Sequence, residues 1–251
     1  STFTAADTQS VILNNNNSFT GAVTFAAASG NLKNVTITNT MALDLAAMTL
    51  AQVSSAGGDL TVTTGGPLTD SGALVIPGTT TITATGQVVE LDHTSNNFAT
   101  ILFGSSSNAV SSVVVVDTDD IDIGASKSAG DFTVTAGDNV TDDGIVTVGD
   151  DLSVTTNAGN GTIDMRTLAV AAGDNTITLT THDAVGDAGH ATIDNDYAVT
   201  LAASTVDGDL TVAAETGNIE DTGILTVEGT SSFTTRATNA DIDLNSANLF
   251  T

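Results

Sequence analysis

Gly58-Asp59-Leu60-Thr61-Val62 returns as Gly130-Asp131-Phe132-Thr133-Val134 and again as Gly208-Asp209-Leu210-Thr211-Val212. Each copy is a glycine–aspartate turn followed by an apolar–hydroxyl–apolar alternation, the period-two signature of a half-buried strand. A second motif follows about 14 or 15 residues on, measured from Leu60 to Leu74, Phe132 to Val146 and Leu210 to Leu225. It reads Ser-Gly-Ala-Leu-Val-Ile from Ser71, Asp-Gly-Ile-Val-Thr-Val from Asp143 and Thr-Gly-Ile-Leu-Thr-Val from Thr222. A Thr/Ser-rich strand comes third, over 79–85, 151–156 and 231–235. An apolar–acidic step closes the series at Leu91-Asp92, Ile163-Asp164 and Ile242-Asp243. Four motifs in one order, three times over, mark a repeat protein.

The ends obey the same cycle. Leu13-Asn14 through Phe19-Thr20 match Leu244-Asn245 through Phe250-Thr251, and the offset between them divides into three repeats of about 77. The repeats fall roughly at 14–95, 96–170 and 171–250 of one solenoid spanning 1–251. The copies are degenerate: Phe98 answers Phe19, but Ala172 stands there in the third copy. With Ser1 at the start and no cap at either end, the chain is expected to be a slice of a longer array or a processed product.

Composition suits this reading. About one residue in six is Thr, Cys and Trp are absent, and aromatics are 4%. Thr and Val favour strands, and Gly, Asn and Asp favour turns. Strand runs are short, as in Thr61-Val62-Thr63 and Ile177-Thr178-Leu179-Thr180. Met41–Leu50 would tolerate a helix, but its counterparts 114–123 and 193–201 read as strands. The expected fold is all-β, a right-handed parallel β-helix with about four coils per repeat. Coils of about 18–20 residues would give some twelve in all, stacked about 4.8 Å apart. A coil cannot bury its inner face alone, whereas stacking buries every one. An array of small antiparallel sandwiches fits the turn spacing too, but lacks a hairpin rhythm beyond isolated cases such as Asp143-Gly144.

Thirty acidic side chains oppose Lys33, Lys127, Arg166 and Arg236, for a net charge of −26. That repels phosphate and anionic lipid, so nucleic acid and membrane insertion are not expected partners. High net charge alone would suit a disordered chain, but the sustained alternation argues for an ordered one. No stretch reaches the roughly 18 apolar residues of a membrane span.

The strand pattern Gly-Asp-Leu-Thr-Val, then Ser/Asp/Thr-Gly-x-Leu/Val-x-Val, a Thr-rich strand and Asn96-Asn97-Phe98 is similar to the repeats of very large exported bacterial proteins. These are the filamentous-haemagglutinin-like adhesins and autotransporter passenger regions. The resemblance covers nearly the whole chain. It implies a right-handed parallel β-helix at the cell surface or outside the cell, acting as a stalk, filament shaft or adhesin. Its partners would be other copies or further repeats end to end, or a host or neighbouring cell surface. It carries over no site residues, because the matching positions are structural.

The clearest chemistry is carboxylate. Asp117, Asp119, Asp120 and Asp122 form one cluster, Asp138, Asp142 and Asp143 a second, and Asp194 with Asp196 a third. Calcium takes 6–8 oxygen ligands, so the first two clusters are candidate calcium turns; solvated turn aspartates are the plainer reading. A calcium-braced surface-layer or matrix component is accordingly a second function. Paired carboxylates could also serve a polysaccharide-degrading β-helix enzyme. Such enzymes set them among basic and aromatic groups, and this chain has one Tyr, Tyr197, and four basic side chains. No catalytic residue is assigned, no enzyme activity is expected, and no cofactor beyond possible calcium. His182 and His190 flank Asp183 and Asp187 in a weak metal pattern, and they and His93 are expected in exposed turns. The pairs Thr61/Thr63, Thr79/Thr81/Thr83, Thr133/Thr135 and Thr178/Thr180 fall at different points of the cycle. They are not expected to share one hydroxyl face.

Overall fold

The computed structural model describes residues 1–105, 107–157, 159–182 and 189–251. These residues form short strands without a helix, paired almost entirely in parallel, as a β-solenoid of about 11 turns. The chain divides into two compact units, Ser1–Ser128 and Ala129–Thr251.

In the first unit, Val35–Asn39 pairs with Leu60–Thr64, which pairs with the distal half of Leu74–Thr83. A second column runs from Leu43–Leu45 through Leu68–Asp70 and Val88–Leu91 to Ser112–Val116. In the second unit, Phe132–Ala136, Leu152–Thr156 and Ile177–Thr180 stack in one sheet. Ile163–Val170, Ala191–Asn195, Leu210–Ala214 and Ser231–Thr235 stack in the other. Alternation turns every second residue inward, so Val35, Ile37, Leu60 and Val62 are fully buried between threonines that face out. The interior is Val, Leu and Ile with few rings, among them Phe98, Phe103 and Phe132.

Coils are longer and less even than the sequence spacing suggests. Val35 pairs with Leu60 and Leu60 with Thr80, a longer step followed by a shorter one. The same contrast is wider where Ile163 pairs with Ala191 and Ala191 with Leu210. In the first case the extra length lies in a turn outside the stacked strands. The longer step from Val35 to Leu60 holds an antiparallel hairpin, Gln52–Val53 with Ala56–Gly57, turned by Ser54 and Ser55 at φ 55° and 62°. The Met41–Leu50 segment is extended, as Leu43–Leu45 and Met48–Thr49.

Longer coils put the repeat out of step with the turn. Starting at Phe132, three coil steps through Leu152 and Ile177 reach Leu201 in the same sheet. The next copy of the motif begins its strand at Leu210, in the other sheet. All four motifs switch in this way. Val146–Val148 and Leu225–Val227 lie in different sheets, as do Leu152–Thr156 and Ser231–Thr235, and Ile163 and Ile242. In this unit one repeat is therefore about three and a half coils.

The threonine pairs also gather more than expected. In the first unit, Thr36, Thr61 and Thr81 are laddered, as are Thr38, Thr63 and Thr83. In the second, Thr133, Ser153 and Thr178 form one row and Thr135, Thr155 and Thr180 another. Uneven coil steps bring pairs that look out of phase in the sequence onto adjacent coils.

Candidate functional site

The acidic turns are the candidate site, and their geometry begins with backbone. Strand ends in a solenoid leave N–H groups at each corner that need acceptors. Here the acceptor is repeatedly an Asp or Asn side chain one coil away.

The aspartate that precedes the second motif does this in all three copies. Asp70 accepts the Asp92 N–H at 3.0 Å and the Asn96 amide at 2.7 Å. Asp142 accepts the N–H groups of Arg166 and Thr167 and the Thr167 hydroxyl, each at 2.9 Å. Asp221 accepts the N–H groups of Asn245 and Ser246 at 3.1 and 3.2 Å, and the Asn248 amide. Asn96 and Asn248 then complete the clamp by accepting the N–H of Leu74 and Leu225, each at 2.8 Å. The glycine of that motif has its own reason. A Cβ on Gly72 would collide with the backbone of Ala47, and one on Gly223 with that of Ala203.

The Gly-Asp motif works alike. Asp59 accepts the Thr79 N–H at 3.0 Å, and Asp209 accepts the Thr230 N–H at 2.7 Å and its hydroxyl at 2.5 Å. Hydrogen bonds from Thr230 hold the exposed Asp209 carboxyl below its ordinary pKa. Buried asparagines extend the scheme: Asn195 accepts the Val170 N–H and donates to the carbonyls of Val170 and Ala198.

The candidate calcium ligands divide between the units. In the first, Asp117 is buried and accepts the Phe98 N–H at 2.6 Å and the Asp119 N–H at 2.8 Å. Burial outweighs those bonds and pushes its pKa up to about 6. Asp119 and Asp120 are exposed, and half-buried Asp122 accepts the Thr100 hydroxyl at 3.3 Å. In the second, Asp142 is the clamp just described, Asp138 is half-buried and Asp143 is exposed at the turn. Asp117 and Asp142 thus have coordination shells already made of N–H and O–H donors.

A carboxylate group that the sequence clusters did not contain is Asp131, Asp150 and Asp151. Their oxygens lie within 4.8 Å of one another, and all three are exposed. The signal was available: Gly130-Asp131 and Gly149-Asp150-Asp151 are one coil apart once Phe132 is known to pair with Leu152. Asp151 also accepts the N–H and hydroxyl of Thr176, at 2.7 and 2.9 Å.

The two arginines and the histidines have structural partners. Arg236 reaches across two coils to Asp194 and Glu215, at 3.0 and 2.7 Å, and Arg166 bonds Asp164. Asp194 is therefore an ion-pair partner. His190 Nδ1 accepts the Asp209 N–H at 2.8 Å and His93 Nδ1 that of Ser95 at 3.1 Å. A ring nitrogen used as an acceptor there is not available to a metal. His182 Nδ1 lies 4.0 Å from Asp207, while Asp183 and Asp187 lie outside the described residues.

A family described as "Repeats of unknown function (DUF5649)" matches residues 32–103, 110–188 and 188–251. No curated protein and no solved structure matches. The three successive matches cover most of the chain and include each second-motif aspartate, Asp70, Asp142 and Asp221.

Proposed function

The chain belongs to this DUF5649 repeat family, and from that premise we propose that it is a structural spacer of the cell exterior, the stalk or shaft of a bacterial surface adhesin or filament. One observation carries the reading. The side chains that recur from repeat to repeat are the ones that fasten coil to coil: Asp70, Asp142 and Asp221 by hydrogen bonds, Gly72 and Gly223 by close backbone approach. A repeat whose recurring polar residues serve its own stacking is suited to setting a distance. The exterior location rests on the similarity to exported adhesin repeats, and the acidic surface favours solubility there.

Two measurements test this. Protease added to intact cells of the source organism should cleave the chain's epitope, and protection until lysis would exclude the exterior. Fluorophores placed before residue 1 and after residue 251 should report one narrow distance distribution. A broad, denaturant-like distribution would exclude a spacer.

A further inference from the structure

Asn160-Gly161 is the one Asn-Gly step in the chain, in the turn between the strands Leu152–Thr156 and Ile163–Val170. Asn160 is exposed. Among the described residues, neither its carboxamide nor the Gly161 N–H has a hydrogen-bond partner. The atoms just beyond are fixed. The Gly161 carbonyl accepts the Thr156 hydroxyl at 3.0 Å, and Thr162 donates its N–H and its hydroxyl to Asn139 at 2.9 and 2.8 Å. Packing also demands glycine here: a Cβ on Gly161 would lie 2.7 Å from the Asp138 carbonyl oxygen. The fold thereby sets a backbone nitrogen with no side chain beside it directly after an unrestrained asparagine.

The asparagines that precede Ser or Thr are placed differently. Asn17, Asn39, Asn175 and Asn245 each donate from the carboxamide to another group. The following N–H is taken as well where it belongs to Thr40, by the Asn17 carbonyl, to Thr176, by Asp151, and to Ser246, by Asp221. Turning those carboxamides onto the next nitrogen would first break these bonds. Asn160 has none to break.

We infer that Asn160 is a site of spontaneous deamidation in the folded chain. The Gly161 nitrogen attacks Cγ of Asn160 and gives up its proton. The carboxamide nitrogen leaves as ammonia, and a cyclic imide closes. Water then opens the ring. Cleavage between Cγ and the Gly161 nitrogen leaves aspartate, and cleavage at the main-chain carbonyl leaves isoaspartate. One water is consumed and one ammonia released, with no oxidant or reductant. Either product adds a carboxylate that is ionised at neutral pH to a chain already at −26. Isoaspartate also routes the main chain through Cβ. That extra atom falls in the turn, ahead of the pairing of Ile163 with Val140, so the ladder is left as it is.

The test is to hold the 251-residue chain for weeks at physiological temperature and mildly alkaline pH, folded in buffer and unfolded in guanidinium chloride. Trypsin then releases residues 128–166, which contain Asn139 as well as Asn160. In the folded sample, electron-transfer fragmentation should place an amide-to-acid mass change at Asn160, as both aspartate and isoaspartate, with Asn139 intact. Asn160→Gln, an exposed change whose longer side chain disfavours the ring, should abolish the change in this peptide. Reaction of Asn160 in denaturant but not in the folded chain overturns the inference, since the fold then protects the site. So does no reaction in either sample, aspartate without isoaspartate, or equal conversion at Asn139. Each of these failures leaves the spacer reading intact, since that is judged by surface exposure and end-to-end distance.

Discussion

Asp117 in the first unit and Asp209 in the second do the same job in opposite surroundings. Each accepts a backbone N–H from the neighbouring coil, of Phe98 and Thr230 respectively. Asp117 is buried, and the cost of placing charge there pushes its pKa up to about 6. Asp209 is exposed, and the same kind of bond pulls its pKa down. The corner needs an acceptor in both places, and depth alone decides whether that acceptor is comfortable as an anion.

The largest way to break the comparison is to remove the apolar body beside Asp117. Phe98→Ala deletes a fully buried ring and should cost about 3–5 kcal/mol in urea unfolding at neutral pH. A cost under about 1 kcal/mol would mean that the ring does not pack as described.

The next is pH. Because the folded pKa of Asp117 lies above its unfolded value near 3.8, its contribution to stability is fully present below about pH 3.8. It is lost as pH rises through about 6. The swing is about 3 kcal/mol, by the 1.36 kcal/mol per pKa unit of proton linkage. Asp117→Asn removes that titration. The difference in unfolding midpoint between wild type and variant should therefore change between pH 3.5 and 8, with the variant gaining as pH rises. A constant difference would count against a buried, protonatable Asp117.

Asp209→Ala sharpens the other side. Its lowered pKa gives the opposite sign, with stability present above about pH 3.8 and lost as pH falls through the depressed value. The variant should be less stable than wild type at pH 7 by less than the Asp117 swing, and the gap should close in acid. A gap that widens in acid would reverse the assignment. Smallest of all, Ile145→Thr and Ile224→Thr change exposed residues and should each shift stability by no more than about 0.5 kcal/mol. Either one costing several times that would place it in a contact that the fold does not show.

The sequence shows strand, turn and repeat plainly, because alternation and Gly-Asp punctuation are local signals. Coil length is not local. Nothing near Leu60 says whether its neighbour is Thr80 or a residue two positions away, and the hairpin over 52–57 lengthens one coil without disturbing any strand. The roles of Asp70, Asp142 and Asp221 stayed hidden for that reason: their partners lie 22 to 27 positions downstream. That Asp142 accepts from Thr167 on the next coil cannot be read from its neighbour Asp143. The Asp131, Asp150 and Asp151 group, split between two coils, becomes legible only with the pairing of Phe132 and Leu152.

A repeat of three and a half coils has a symmetry of its own. Within the second unit, passing from Phe132 to Leu210 combines a half rotation with an advance of about 17 Å, at about 4.8 Å per coil. That is the operation of an approximate two-fold screw axis. Within that unit, the surface offered by the copy at Phe132 is presented on the opposite flank by the copy at Leu210. A ligand that recognises this motif would then meet its two copies in this unit on opposite flanks, about 17 Å apart along the stack and separated by the thickness of the solenoid.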